Sequence, residues 1–168
     1  ITLAAPDGTE VILTEYNGGS GNNYTDTRFD DEAPISIEGG SPPFTGLFRP
    51  EEPLSAFSGK DIGGTWQLKI TDDAGGDQGQ LISWELDIVF SGTAETGVQA
   101  PAPGCPVVVA DAATQISEFV IPRGYTVSDL NVWVSLNHPQ NSDLALSLIA
   151  PDDTSVLLAD ELSGSNLD

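Results

Sequence analysis

The chain repeats itself out of phase. ITLAAPDGTEVIL, residues 1–13, returns 145 positions later as LSLIAPDDTSVLL, residues 146–158. Leu3, Ala5, Pro6, Asp7, Thr9, Val11 and Leu13 each meet the same residue type in the second copy. A period this long, present only at the two ends, predicts that the chain opens inside one domain and stops inside a related one. On that reading residues 1–90 are the C-terminal part of a first sandwich, 91–106 a linker, and 107–168 the N-terminal part of a second. Repeated modules of this kind are more often scaffolds or binders than catalysts.

The pattern between the repeats is that of strands. In GTWQLKITDD, Trp66, Leu68 and Ile70 fall on one face and Gln67 and Lys69 on the other. LISWELDIVF predicts an inward set of Ile82, Trp84, Leu86, Ile88 and Phe90. DLNVWVSLNH gives Leu130, Val132, Val134 and Leu136, and SDLALSLIAP gives Leu144, Leu146 and Leu148. Period-two alternation between Gly/Pro/Asn/Asp clusters, with no 3.6-residue stripe, predicts an all-β fold, a jelly-roll β-sandwich. The stretch SGTAETGVQAPAPGCP is small and Pro/Gly-rich, hence the linker. Neither flanking piece is expected to be stable alone. Without the four apolar side chains of Leu130 to Leu136, worth about 6–12 kcal/mol together, a domain with about 5–15 kcal/mol of net stability would unfold.

Charge excludes some functions. There are 26 acidic residues against five basic ones, for a formal net charge of −21. Such a surface repels phosphate backbones, so nucleic acid is not an expected partner, while divalent cations are compatible with it. No apolar run approaches the ~18 residues of a membrane span. The absence of methionine suggests a segment of a longer precursor. The single cysteine, Cys105, has no partner within the chain for a disulfide.

Joined in the order second piece then first, the chain reads VSDLNVWVSLNHPQNSDLALSLIAPDDT, then FDDEA, then GLFRPEEPLSAFSGKDIGGTWQLKITDDAGGDQGQLISWELDI. This resembles the P domain of proprotein convertases and bacterial subtilisin-like proteases. The most specific part runs from Phe48 to Ile88, with Pro50, Leu54, Phe57, Gly59, Gly64, Thr65, Trp66, Asp77, Gly79, Leu81 and Trp84 at the family's spacing. The resemblance implies a jelly-roll sandwich that is not itself catalytic and usually accompanies a secreted protease domain. Two successive P domains with no protease between them depart from that arrangement.

Candidate sites are few. No GxSxG, HExxH or paired CxxC motif occurs, and the only histidine, His138, matches a histidine of the resembled non-catalytic domain, so it is expected to be structural. Asp30, Asp31, Asp72, Asp73 and Asp77 are carboxylates on glycine-rich loops, a setting that suits calcium; the alternative is that they cap turns. Asp143, near His138, belongs with them. Trp133 alternates outward with Asn131 and Ser135 and is expected to contact a neighbouring domain, chain or glycan, the alternative being cover by a loop of its own domain; Tyr16 and Tyr24 are candidates for similar contacts. Asn23-Tyr24-Thr25 is a glycosylation sequon. These features together predict a non-enzymatic, extracellular or cell-surface module whose partners are copies of itself, strung along a fibre, stalk or filament. The other reading is an accessory tail of a secreted subtilisin-like or metalloprotease. A weaker third is a carbohydrate- or particle-binding module.

Overall fold

The computed structural model describes residues 2–4, 9–61, 63–91, 98–121 and 126–147. Their regular structure is β-strand with three short 3-10 turns. In chain order the strands are β1 (Thr2–Ala4), β2 (Glu10–Ile12), β3 (Tyr24–Phe29), β4 (Phe44–Phe48), β5 (Gly64–Asp72) and β6 (Gly79–Ser91). They continue with β7 (Val98–Pro101), β8 (Val107–Val109), β9 (Thr114–Ile121), β10 (Thr126–Asn137) and β11 (Leu144–Ser147).

Two sheets form a sandwich. In the first, β5 lies between β9 on one side and β1 and β11 on the other, with β2 beyond β1. In the second the order is β4, β3, β10, β6, and then β7 and β8 side by side along β6. The pieces before and after residue 91 therefore share one sandwich. β10 inserts between β3 and β6, and β9 and β11 both pair with β5.

Alternation explains the core. Trp66, Leu68 and Ile70 of β5 are buried, and so are Leu130, Val132, Val134 and Leu136 of β10, as the sequence predicts. Phe57, on the 3-10 turn Leu54–Phe57, meets the Trp66 ring edge-on at 5.3 Å. Burying the four β10 side chains is worth roughly 6–12 kcal/mol. Trp84 joins the two pieces directly, since its Nε1–H donates to Ser117 Oγ of β9 at 3.0 Å with both groups buried.

Two expectations are corrected. Ile82 is exposed and Leu81 is buried in its place, because the β6–β10 register slips between the Ser83–Ser135 and Leu81–Leu136 pairs, and the extra residue turns outward. Part of the expected linker is structured. Val98–Pro101 adds to β6 as β7, and Cys105, half-buried, packs against the core. Burial pushes its thiol pKa up, and a hydrogen bond from Ser117 offsets this only in part, which suppresses the thiolate a nucleophile requires. Of the predicted inward set in SDLALSLIAP, Leu144 is buried, while Leu148 lies outside the described residues.

Candidate functional site

The polar groups gather where the two pieces of chain meet at one end of the sandwich. β10 ends at Asn137, and the next residues form a short 3-10 turn, Asn141–Asp143, that leads into β11. Asn23 holds this loop from the first piece, its backbone N–H donating to the His138 carbonyl at 3.2 Å and its Oδ1 accepting from the His138 N–H at 2.9 Å. Asn141 donates its N–H to the Gly21 carbonyl at 2.9 Å and its amide to the Asn23 carbonyl at 3.2 Å. The Asp73 N–H donates to the Asp143 carbonyl at 2.9 Å. Asp143 Oδ1 in turn accepts from Gln140 Nε2 and Ser142 Oγ.

His138 is buried at the centre of this seam. Its Nδ1 lies 2.8 Å from the Gln140 carbonyl and its Nε2 lies 3.4 Å from Asp72 Oδ2. Burial pushes the Asp72 carboxyl above its ordinary value, and the Ala74 N–H and His138 offset this in part. Gly79 is required beside the ring, since a Cβ there would stand 2.5 Å from His138 Cδ2 and 2.7 Å from the Asn137 carbonyl oxygen. The imidazole is thus buried with Nδ1 at a backbone carbonyl and Nε2 facing the Asp72 carboxyl without a hydrogen-bond partner.

The aspartates are not brought together. Asp72 and Asp73 lie at the seam. Asp30 and Asp31 follow β3, level with the middle of β10, about seven residues or roughly 20 Å along that strand from the seam. Asp31 caps the turn at 54–57, its two oxygens accepting the N–H groups of Leu54 and Ser55 at 2.8 Å each. Asp30 accepts from the Glu32 N–H at 2.9 Å and pairs with Arg28 at 3.3 Å. Asp77 is half-buried in the turn before β6. Among the described residues no group of three or more His, Cys, Asp or Glu is placed to hold a metal ion.

Trp133 alternates outward from β10, between buried Val132 and Val134, and is half-covered. Arg28 of β3 covers it, with Cζ 5.4 Å from the ring centroid, and Nε1 is buried without a hydrogen-bond partner. A cavity of about 170 Å³ beside the indole is lined by Asp26, Ser83, Trp84, Glu85, Trp133, Val134 and Ser135. Tyr16 is exposed. Tyr24 is not. It stacks on Phe44 at 5.0 Å, its hydroxyl lies 3.4 Å from Thr14 Oγ1, and burial pushes its pKa up to about 12. An irregularity in the β3–β10 pairing, with Asp26 at φ 48°, turns Tyr24 into the core. The Asn23 side chain of the sequon is half-buried, its Oδ1 held by the His138 N–H.

Ser117, Asn141, Arg28, Glu51 and Glu52 escaped the sequence reading. Ser117 alone carried a signal, a small polar residue where QISEFVI calls for an inward side chain.

The fold and seam define a sandwich module whose polar groups join chain segments. Residues 1–88 match the proprotein convertase P-domain family, and the chain belongs to that family. P domains are accessory domains of proprotein convertases and subtilisin-like proteins and occur in secreted proteases. No curated protein and no solved structure matched the chain. No helix among the described residues is long and apolar enough to cross a membrane.

Proposed function

We propose that the chain is a non-catalytic structural and adhesive module of an extracellular fibre, stalk or filament built from P-type β-sandwiches, with neighbouring copies as its partners. What supports this reading most is the register along β5. Thr2 of β1 and Ser147 of β11 both align with Lys69, and these two residues are themselves equivalent in the 145-residue repeat. The two copies of the repeat thus share one strand position beside β5, which supports a module that partners copies of itself. Trp133, half-covered, and Tyr16, exposed, are the side chains this reading assigns to lateral contacts.

The family match favours a second reading, an accessory stabilising domain of a secreted subtilisin-like or metalloprotease. Electron microscopy of the native polypeptide, with a peptidase assay on the same sample, separates the two. Extended assemblies without peptidase activity support the fibre. Single particles that cleave a peptide and carry this chain as a tail would overturn it.

A further inference from the structure

β11 and β1 are two pieces of one strand. β11 pairs with β5 as Leu144–Asp72, Ala145–Thr71, Leu146–Ile70 and Ser147–Lys69; β1 takes over as Thr2–Lys69, Leu3–Leu68 and Ala4–Gln67. With the repeat offset of 145 removed, the pairing register is the same for both. Continued past Ser147, β11 would carry Leu148 and Ile149 to the positions that Leu3 and Ala4 hold.

The rest of the slot is equally indifferent to which copy fills it. Val11 and Leu13 are buried, and their counterparts Val156 and Leu158 are the same residues. Lys60 Nζ donates to Thr9 Oγ1, and the counterpart Thr154 is the same residue type; three further anchors are made to backbone. Ile12 N–H donates to Glu52 Oε2 at 2.8 Å, Glu52 N–H to the Ile12 carbonyl at 3.0 Å and Glu51 N–H to the Leu13 carbonyl at 3.1 Å. Any strand in this register satisfies them. The equivalence stops after Leu13. Thr14, buried against Tyr24 and Asn17, corresponds to Ala159. Gly18, at φ 94° and so close to the next loop that a Cβ would stand 2.8 Å from Pro42 Cγ, corresponds to Ser163.

We propose that the slot beside β5 is a strand-acceptor site, and that its ligand is the segment 148–158 of a second copy of this chain, which displaces residues 3–13. The exchange replaces like with like, so its free-energy change is small and its extent follows local concentration, the condition that domain swapping requires. Copies held as neighbours in an array would meet it at the high effective concentration of a short tether. This inference rests on the fibre reading and supplies its joint.

Disulfide trapping tests it on the full chain, with Cys105→Ser in every variant. Gln67 faces away from the core and Ala4 is its register partner, so Gln67→Cys with Ala4→Cys in one chain should cross-link and serves as the folding control. Mixing a Gln67→Cys chain with an Ile149→Cys chain at high concentration should give a 67–149 linked dimer on a non-reducing gel, with yield rising with concentration. The dimer should be absent when Ile149→Cys is replaced by Asn166→Cys. Absence of the 67–149 dimer while the control cross-links, or a 67–149 bond formed only within a doubly substituted chain, would overturn the proposal. The fibre reading fails on a separate measurement, peptidase activity of the native polypeptide, which trapping does not touch.

Discussion

Replacing Ser117 with alanine should destabilise the sandwich out of proportion to one lost oxygen atom. Ser117 Oγ accepts the indole N–H of Trp84 at 3.0 Å across the core, between a strand from before residue 91 and one from after it. Alanine keeps the backbone and nearly the volume but strands a buried donor, which costs about 1–3 kcal/mol. For a chain of 168 residues, that corresponds to a fall in Tm of about 2–12 °C, at roughly 2–4 °C per kcal/mol. Ser117 also bonds the Cys105 thiol, so the cleanest form is a double-mutant cycle with Trp84→Phe, followed by far-UV circular dichroism in urea. Phenylalanine has no N–H to strand, so Ser117→Ala should cost only about 0.5 kcal/mol in that background, leaving most of the effect as coupling. Equal costs in both backgrounds would refute the cross-core bond, and with it the packing of β9 over Trp84.

Four further outcomes follow from the geometry. Tyr24, raised to about 12 by burial, favours the folded state below the ordinary tyrosine pKa, and that contribution is lost as pH rises through 12. Absorbance at 295 nm should show one tyrosine ionising late together with unfolding, a phase absent from Tyr24→Phe. Asp72 is raised in the same sense, so its contribution is present at acidic pH and is lost as pH rises through its folded value. Chemical denaturation across pH should therefore show Asp72→Asn gaining on the parent as pH increases; a constant difference would contradict the burial of the carboxyl. Asp31→Ala should cost about 1–2 kcal/mol by removing a double cap, and a chelator should leave the parent's Tm within about a degree. A drop of several degrees would support calcium binding at the aspartate loops. Trp133→Ser should keep the circular dichroism spectrum while shortening assemblies, since its main contact here is a cation–π pair of about 0.5–1 kcal/mol. An unfolded product would place the indole in the core.

Much of the fold was legible because it follows from period two. The inward faces of β5 and β10 depend only on their own alternation, so Trp66, Leu68, Ile70 and Leu130 to Leu136 could be placed from the residues alone. Ile82 and Tyr24 could not, since a register slip is set by the partner strand and leaves no mark in the slipping one. β7 was hidden by composition, because Pro and Ala in QAP carry no strand signal and only the open edge of β6 organises them. The site was less legible than the core. His138 could be assigned a structural role, but its partners Asn23, Asp72, Gly79 and Gln140 lie as much as 115 positions away in the chain. The aspartates were read as two loop groups, and their places, Asp31 on the turn at 54–57 and Asp72 beside His138, depend on where the fold carries each loop, which residue type alone does not report.

Native-state amide hydrogen exchange tests most directly whether residues before and after the linker form one sandwich. β6 and β10 are paired along nearly their whole length, from Thr126–Ser91 to Asn137–Gln80. Their interior amides should share one opening free energy, close to that of global unfolding. Protection of β5 and β6 with β9 and β10 exchanging orders of magnitude faster would contradict the account, because the two pieces would then be separate structures.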